Sequence, residues 1–188
     1  MRINSGSLKG RKLVSPKKLK IRPPLDKLKQ SVFNMLAGEV QDSKVLDLFA
    51  GTGSFGLEAV SRGAAQAVFV ESSFKACQLL QQNIGKLNAS PKTAVIESRV
   101  SGAIHNLSEQ GDSFKLIFVD PPFLEDLCQK TLDSLCGSNL LQEKSLIIIH
   151  HHQKEPVESN TQELELVRRR KFGDNLVSIF LYSQKSHA

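Results

Sequence analysis

The sequence places a carboxylate, two prolines and an aromatic ring directly after an apolar run. Residues 117–119 lead into Asp120, which is followed by Pro121, Pro122 and Phe123. Neither proline has an N–H group to donate, so a strand cannot continue past Asp120. Because ligands of open α/β sheets bind at the carboxyl ends of the strands, this turn predicts a ligand site with an acceptor and a flat apolar ring.

A glycine-rich loop follows an earlier apolar run. Gly51, Gly53 and Gly56 come after a strand predicted over residues 45–49 and precede a predicted helix. Glycines let backbone N–H groups approach a ligand closely. Glu71, twenty residues after Gly51, can accept hydrogen bonds from ribose hydroxyls. The spacing fits a dinucleotide, an adenosyl cofactor or merely a tight strand-to-helix turn.

An acid lies inside that first strand. Asp47, four residues before Gly51, would repel a pyrophosphate but can hold a cationic or amine-bearing ligand, directly or through water. S-adenosylmethionine carries an ammonium and a sulfonium, whereas NAD carries two phosphates. Asp47 therefore favours S-adenosylmethionine, and the alternative interpretation is a carboxylate that caps the glycine loop.

Size and composition predict one globular unit. The chain has 188 residues, 40% of them hydrophobic, which is enough for a buried core. Its three cysteines include no Cys-x-x-Cys pair, so we expect free thiols in a reducing cytosol. No run of about 18 apolar residues is present. The sequence therefore predicts a cytoplasmic protein without a membrane span or a secretory signal.

Positive charge is concentrated near the N-terminus. Residues 1–30 hold ten of the 25 Lys and Arg and one of the 19 Asp and Glu, a net +9, so the remaining residues carry 15 basic and 18 acidic side chains, or −3. A basic arm on a mildly acidic body predicts a polyanionic partner, and the alternative is a solvated tail. The residues assigned to nucleic-acid binding are Arg2, Lys9, Arg11, Lys12, Lys17, Lys18, Lys20 and Arg22.

Alternating strand and helix patterns predict an α/β fold with a doubly wound parallel sheet. A basic hairpin extension is predicted over residues 1–24 and the main domain over 25–188. Near the C-terminus a Gly-Asp-Asn turn at 173–175 joins two strands, so the sheet is expected to end antiparallel.

Two further segments carry specific expectations. The helix that follows the hairpin is expected to turn Lys27 and Lys29 outward, because its apolar residues recur at helical spacing on the opposite face. A helix is also predicted over residues 124–135. The three histidines at 150–152 point to different faces of a strand end and cannot readily share one ion, so no metal is predicted. His150 or His152 can instead face the substrate edge of the sheet.

Two motifs carry a resemblance to known methyltransferases. Asp47-Leu48-Phe49-Ala50-Gly51-Thr52-Gly53 resembles the first motif of class I S-adenosylmethionine-dependent enzymes, whose Rossmann-like fold has a seven-stranded sheet with an antiparallel last strand. Asp120-Pro121-Pro122-Phe123 resembles the fourth motif of enzymes that methylate exocyclic nitrogens of nucleic-acid bases.

The chain as a whole resembles the bacterial small-subunit ribosomal RNA guanine-N2 methyltransferases of the RsmD type. The resemblance implies transfer of a methyl group from S-adenosylmethionine to N2 of one guanine in 16S rRNA, in the small ribosomal subunit or its assembly intermediate, and we expect a monomer. Besides the two motifs and Glu71, it rests on Arg2-Ile3, Lys9-Gly10-Arg11-Lys12-Leu13, Arg22-Pro23, Phe33-Asn34-Met35-Leu36, Gly56-Leu57-Glu58-Ala59 and Ser61-Arg62-Gly63-Ala64.

The chemistry of such a reaction explains the residue types in the turn. An exocyclic amine is a poor nucleophile because its lone pair is delocalised into the ring, so the site must orient it. The Asp120 side chain and the Pro121 carbonyl can accept its two N–H bonds, and Phe123 can stack on the base, which is worth about 1–3 kcal/mol. Pro122 completes this catalytic turn. The residues assigned to the cofactor are Asp47, Phe49, Gly51, Thr52, Gly53, Gly56 and Glu71.

Other functions explain less of the sequence. A DNA amino methyltransferase that acts on adenine N6 or cytosine N4 shares the fourth motif, but the basic hairpin in place of a separate target-recognition domain argues against it. An NAD-dependent dehydrogenase would use the glycine loop and Glu71 and leave the turn at Asp120 unexplained. A non-catalytic RNA-binding module explains only residues 1–30.

Overall fold

The structure, a computed structural model, describes residues 1–15 and 24–184. Strands and helices alternate through most of this part of the chain. The helices are α1 (Pro24–Met35), α2 (Ser54–Ser61), α3 (Phe74–Lys86), α4 (Val100–Glu109) and α5 (Leu127–Cys136), with a short 3-10 turn at Ser90–Lys92. The strands are β1 (Lys44–Leu48), β2 (Gln66–Glu71), β3 (Thr93–Glu97), β4 (Phe114–Val119), β5 (Leu141–His152), β6 (Leu164–Phe172) and β7 (Asn175–Tyr182).

All seven strands form one sheet in the order β3-β2-β1-β4-β5-β7-β6. The first five pair in parallel, and β7 is antiparallel to both of its neighbours, β5 and β6. The central strands are buried on both faces, as expected for a parallel sheet covered by helices. The predicted doubly wound sheet with an antiparallel last strand is therefore confirmed.

The strand order reverses between β1 and β4, because the chain moves from β1 to β2 on one side and returns to β4 on the other. At this switch point the two strands end level with each other, since Leu48 pairs with Val119. On the other side of β4, Val119 pairs with Ile149 of β5. The loops that leave these three strands consequently begin side by side at one edge of the sheet, where a crevice is expected.

The N-terminal segment folds back on itself as a short hairpin. Arg2 and Lys12 form an antiparallel bridge, and the Ile3 N–H donates to the Arg11 carbonyl at 2.9 Å. Ile3 and Leu13 are buried in the core that covers one face of the sheet. The predicted hairpin is present in the described residues 1–15, with one isolated bridge between its two arms.

Lys29 contradicts the expectation that it faces solvent. Its side chain is 1% exposed, and its ammonium lies 2.7 Å from the Arg2 carbonyl oxygen and 3.3 Å from Glu58 Oε2. Glu58, on α2, is 0% exposed and also accepts N–H groups from Asn4 and Ser5 at 2.7 and 3.0 Å. Burial lowers the pKa of Lys29, and the charge of Glu58 opposes that effect. The pair fastens the hairpin between α1 and α2.

The prediction that a helix begins at residue 124 is wrong, because Leu124 and Asp126 have φ angles of +65° and +55°, and α5 starts at Leu127. The three cysteines are free, as predicted. No helix in the described residues is long and apolar enough to cross a membrane.

Candidate active site at the carboxyl ends of the strands

Glu71 holds the start of the glycine loop. Its Oε2 accepts the Gly51 N–H and its Oε1 accepts the Ser73 N–H, each at 2.8 Å. Gly51 has a φ of +55°, and a Cβ there would meet no atom within 4 Å. The loop therefore presents an open side next to a fixed carboxylate, which retains lone pairs for hydroxyl donors of a ligand.

The other two glycines of the motif serve packing. A Cβ at Gly53 would lie 2.4 Å from Leu80 Cδ1, and one at Gly56 would lie 2.3 Å from the Phe69 ring. Both distances are too short for any side chain at these positions. Packing against protein side chains therefore already requires glycine at these two positions, and contact of their backbone with a ligand stays a prediction.

Asp47 is buried beneath the loop. Its Oδ2 accepts the Gly56 N–H at 2.8 Å near the start of α2, which is the capping contact foreseen as the alternative interpretation of this residue. Burial raises the pKa of Asp47 to about 8; the Gly56 N–H opposes this effect, and the charges of Asp120 and Glu71 add to it. Three carboxylates thus converge on one end of the sheet, where they favour a cationic ligand.

Phe49 and Thr52 shape the loop from either side of Gly51. Phe49, half-buried, takes a φ of +61°, which turns the chain out of β1. The Thr52 carbonyl accepts an N–H from the Asn83 side chain at 3.0 Å. The left-handed backbone of Phe49 is uncommon for a bulky residue and typical of functional loops.

Asn83 joins the glycine loop to the N-terminal segment. Its amide oxygen accepts the Val14 N–H at 2.7 Å, and its amide nitrogen donates to the carbonyl oxygens of Val14 and Thr52, each at 3.0 Å. Asn83 is fully buried on α3, on the same face as Leu80 and Ile84. Sequence reasoning missed this residue, and the available signal was a polar residue on the apolar stripe of a helix.

Asp120 follows β4 directly and is paired with a histidine. His150 Nδ1 lies 2.7 Å from Asp120 Oδ1, and within the described residues His150 is the one bonding partner of this carboxylate. The pairing follows from the register, since Asp120 and His150 each come one residue after the paired Val119 and Ile149. His150 thus faces the edge of the sheet at which a substrate is predicted.

Phe123 packs beside this pair. Its ring lies edge to face with the His150 imidazole, at 5.0 Å between centroids and an interplanar angle of 87°. The ring of His152 is also near, with 6.3 Å between its centroid and that of Phe123. Pro121 is buried and Pro122 exposed, so the turn carries Phe123 out of the core towards the edge of the sheet.

A buried acid supports the loop that carries Phe123. Glu155 Oε2 accepts the Leu124 N–H at 3.0 Å, and Glu155 is itself buried. This bond holds the left-handed residue at 124 and fixes where the turn ends. Sequence reasoning missed Glu155, which lies in an irregular segment after β5 and carries no local pattern.

A small pocket opens next to Asp120. Its polar lining consists of Asp120 and His150, and its remaining walls are apolar. The lining residues are Val32, Phe55, Phe118, Val119, Asp120, Ile148, His150 and Val177.

The remaining sequence-predicted residues lie elsewhere. Arg2, Lys9, Arg11 and Lys12 are exposed on the hairpin. Lys17, Lys18, Lys20 and Arg22 fall outside the described residues.

His151 points away from the two histidines beside it. Its ring nitrogens lie 2.8 Å from the Glu155 carbonyl and 2.9 Å from Ser178 Oγ in the core. In residues 1–15 and 24–184, no group of three or more His, Cys, Asp or Glu is placed to hold a metal ion.

Comparisons with known proteins show which family the chain belongs to. The family model described as Conserved hypothetical protein 95 matches residues 1–181. The chain is 33% identical to YlbH of Bacillus subtilis (strain 168), over 96% of this chain and 98% of that protein. It is 36% identical to the ribosomal RNA small subunit methyltransferase D of Escherichia coli (strain K12), over 79% of this chain and 73% of that protein.

Solved structures agree with these matches. The structure of the Escherichia coli protein yhhF superposes with a TM-score of 0.87 at 30% identity and covers 98% of this chain and 99% of that one. The fold is thereby that of the class I methyltransferases. The chain belongs to the family described as Conserved hypothetical protein 95, the RsmD family that its motifs resemble.

Proposed function

We propose that the protein transfers a methyl group from S-adenosylmethionine to the exocyclic N2 of a guanine in 16S rRNA. The observation that carries the proposal is the position of Asp120 and Phe123 at the end of β4, next to the glycine loop at the end of β1. An acceptor for an amine and a ring for a base thus adjoin a nucleoside site. The name of the Escherichia coli relative, a small-subunit ribosomal RNA methyltransferase, supports the same reaction class.

The residues at the glycine loop fit the methyl donor. Gly51 offers an open backbone, Glu71 a fixed carboxylate for ribose hydroxyls, and Asp47 with its neighbouring carboxylates an environment for positive charge. Phe49 and Thr52 shape the loop around the nucleoside, and Gly53 and Gly56 let it pack on α3 and β2. When bound, S-adenosylmethionine supplies an electrophilic methyl group on a sulfonium sulfur.

The turn at Asp120 orients the nucleophile. Asp120 Oδ1 is taken by His150, which leaves Oδ2 to accept one N–H of the amine, while the Pro121 carbonyl can accept the other. Aiming the nitrogen in this way replaces a bimolecular encounter with a positioned one. A C–N bond forms as the C–S bond breaks, the sulfur leaves as the neutral thioether of S-adenosylhomocysteine, and the nitrogen then loses a proton to solvent.

The basic hairpin supplies a surface for the polymer. Arg2, Lys9, Arg11 and Lys12 are exposed and can contact phosphates, and Lys17, Lys18, Lys20 and Arg22 extend the same charged segment along the sequence. We assign residues 1–24 to this RNA-contacting extension and 25–188 to the methyltransferase domain. The substrate is 16S rRNA in the small subunit or in its assembly intermediate.

Radiolabelled S-adenosylmethionine tests the substrate. Small subunits that lack N2-methylguanine should incorporate label into 16S rRNA, and nuclease digestion should release it as N2-methylguanosine. Mapping of the labelled nucleotide then identifies the target guanine. Label that appears only in DNA, or in N6-methyladenine, would overturn the assignment.

The raised pKa of Asp47 predicts a pH dependence of cofactor affinity. In the free protein Asp47 is mostly protonated below pH about 8, whereas a bound cation favours its ionised form. Binding should therefore release protons, and the affinity for S-adenosylmethionine should rise with pH, by at most about tenfold per unit between about pH 5.5 and 7.5.

Titration calorimetry of wild type and Asp47→Asn measures this dependence. The Asn side chain keeps an acceptor for the Gly56 N–H but does not titrate, so its affinity should change less with pH. S-adenosylhomocysteine, which lacks the sulfonium charge, should show a weaker dependence with the wild type. Equal slopes in wild type and Asp47→Asn would contradict the prediction.

A further inference from the structure

The second ring nitrogen of His150 is unexplained by the reaction described above. His150 is 7% exposed, and its Nε2 is buried with no hydrogen-bond partner in the described part of the chain. Buried polar atoms in proteins nearly always have a partner, so an unpaired one beside a pocket calls for a ligand or a function. His150 lines the same pocket as Asp120.

The hydrogen bond to Asp120 makes Nε2 of His150 an acceptor. An ionised carboxylate can only accept hydrogen bonds, so the contact of 2.7 Å requires the hydrogen of the imidazole on Nδ1. A neutral imidazole carries one N–H, and Nε2 is then an acceptor. The edge-to-face contact with Phe123 packs the ring in this orientation. The pocket is thus lined by two residues with acceptors, the free oxygen of Asp120, directly after β4, and Nε2 of His150 on β5.

Nucleobases with an exocyclic amine differ at the ring nitrogen next to it. In guanine, N2 is flanked by N1–H, a donor. In adenine, the ring nitrogen beside the amine on the Watson–Crick edge is N1, and in cytosine it is N3. Both nitrogens are acceptors. Two acceptors side by side therefore match the amine and ring N–H of guanine, and they place a lone pair against a lone pair with either other base.

We propose that His150 determines specificity for guanine, with its Nε2 accepting N1–H of the target base while Asp120 accepts an N–H of N2. The inference rests on the proposed function, since it concerns the same base in the same pocket. It assigns to His150 a direct contact with the substrate in addition to its bond with Asp120. Leaving the N1–H of guanine or Nε2 unpaired in this buried site would lower the rate of transfer.

A substrate analogue that lacks N1–H tests this contact. The purine 2-aminopurine keeps the exocyclic amine, but its N1 is an acceptor and it lacks O6. We would reconstitute small subunits with 16S rRNA that carries guanine or 2-aminopurine at the mapped nucleotide, and measure single-turnover methylation. Wild type should prefer guanine, and His150→Phe should reduce that preference by about tenfold or more.

Matched variants distinguish loss of the contact between His150 and the base from a general loss of structure. His152→Phe changes a histidine on the same strand that also lies near Phe123 but does not bond to Asp120, so it should keep the wild-type preference. His150→Gln, whose amide oxygen is an acceptor, should restore part of the preference. Thermal melting and S-adenosylmethionine affinity establish that each variant is folded. If His150→Phe does not fold, a partly reduced preference for guanine in His150→Gln tests the contact.

The outcomes distinguish the two proposals. If His150→Phe slows both substrates equally and the preference for guanine persists, His150 only positions Asp120 and the specificity assignment is overturned. If wild type labels no guanine in unmodified subunits, the proposed function itself fails, before any variant is compared. A lost preference in His150→Phe together with an unchanged one in His152→Phe supports the inference.

Discussion

Replacing Asp120 with Asn should lower the rate of methyl transfer by about a hundredfold to a thousandfold, as found when an oriented polar contact to a reacting group is removed. Asn matches Asp in size, and its amide oxygen can still accept the bond from His150, so the fold should be kept. Its NH2 group would then face the amine in place of an acceptor. The nitrogen would lose the contact that aims it at the methyl group.

Single-turnover methylation and cofactor titration together measure this effect. Affinity for S-adenosylmethionine should stay nearly unchanged in Asp120→Asn and in Asp120→Ala. Glu125→Ala, which removes an exposed acid from the same loop, should transfer methyl groups at the wild-type rate. A parallel loss of cofactor affinity and rate in the Asp120 variants would show that Asp120 holds the cofactor and does not act on the amine.

The largest effect on stability is expected at Glu58. Glu58→Gln leaves the ammonium of Lys29 without its counter-ion in a site where both side chains are at most 1% exposed. Breaking a buried ion pair by removing one partner costs about 3–5 kcal/mol. The N–H groups of Asn4 and Ser5 would also bond to a neutral acceptor, or to none, so the hairpin should loosen on α2.

Denaturant unfolding of paired variants tests this expectation. Glu39→Gln removes the acid of a partly exposed ion pair with Lys115 and should change the free energy of unfolding by less than about 1 kcal/mol. The double variant Lys29→Met with Glu58→Gln should recover part of the loss, because no buried ammonium is then left unpaired and only the partly buried Arg62, which also pairs with Glu58 at 2.8 Å, loses a charged partner. Equal destabilisation by Glu58→Gln and Glu39→Gln would mean that burial adds nothing to the pair.

Much of the fold could be predicted because its signals are local. The strand β4 ends where predicted, at Val119, since its apolar residues stop at an acid followed by two prolines. The start of α5 was predicted three residues too early, because Leu124 and Glu125 are compatible with a helix and nothing local indicates the left-handed backbone. That backbone depends on Glu155, which is distant in sequence.

The candidate site was predictable only in part. The turn at Asp120 and the glycine loop are contiguous motifs, and parallel sheet geometry brings their ends together. Lys29 was misplaced because helical periodicity marks a lysine next to apolar positions as exposed, whereas the hairpin and α2 cover it. The bond between Asp120 and His150 depends on the register of β4 against β5, which no local pattern determines.

The shared bonds of Asn83 predict that the basic arm and the glycine loop are thermodynamically linked. Val14 directly precedes the segment that carries Lys17 and Lys18, and Thr52 lies between the first two glycines of the loop, yet both bond to one buried amide. If an RNA contact draws Val14 away from Asn83, we expect the hydrogen bond that supports Thr52 to change as well. Linkage is reciprocal, so the factor by which RNA alters cofactor affinity equals the factor by which the cofactor alters RNA affinity.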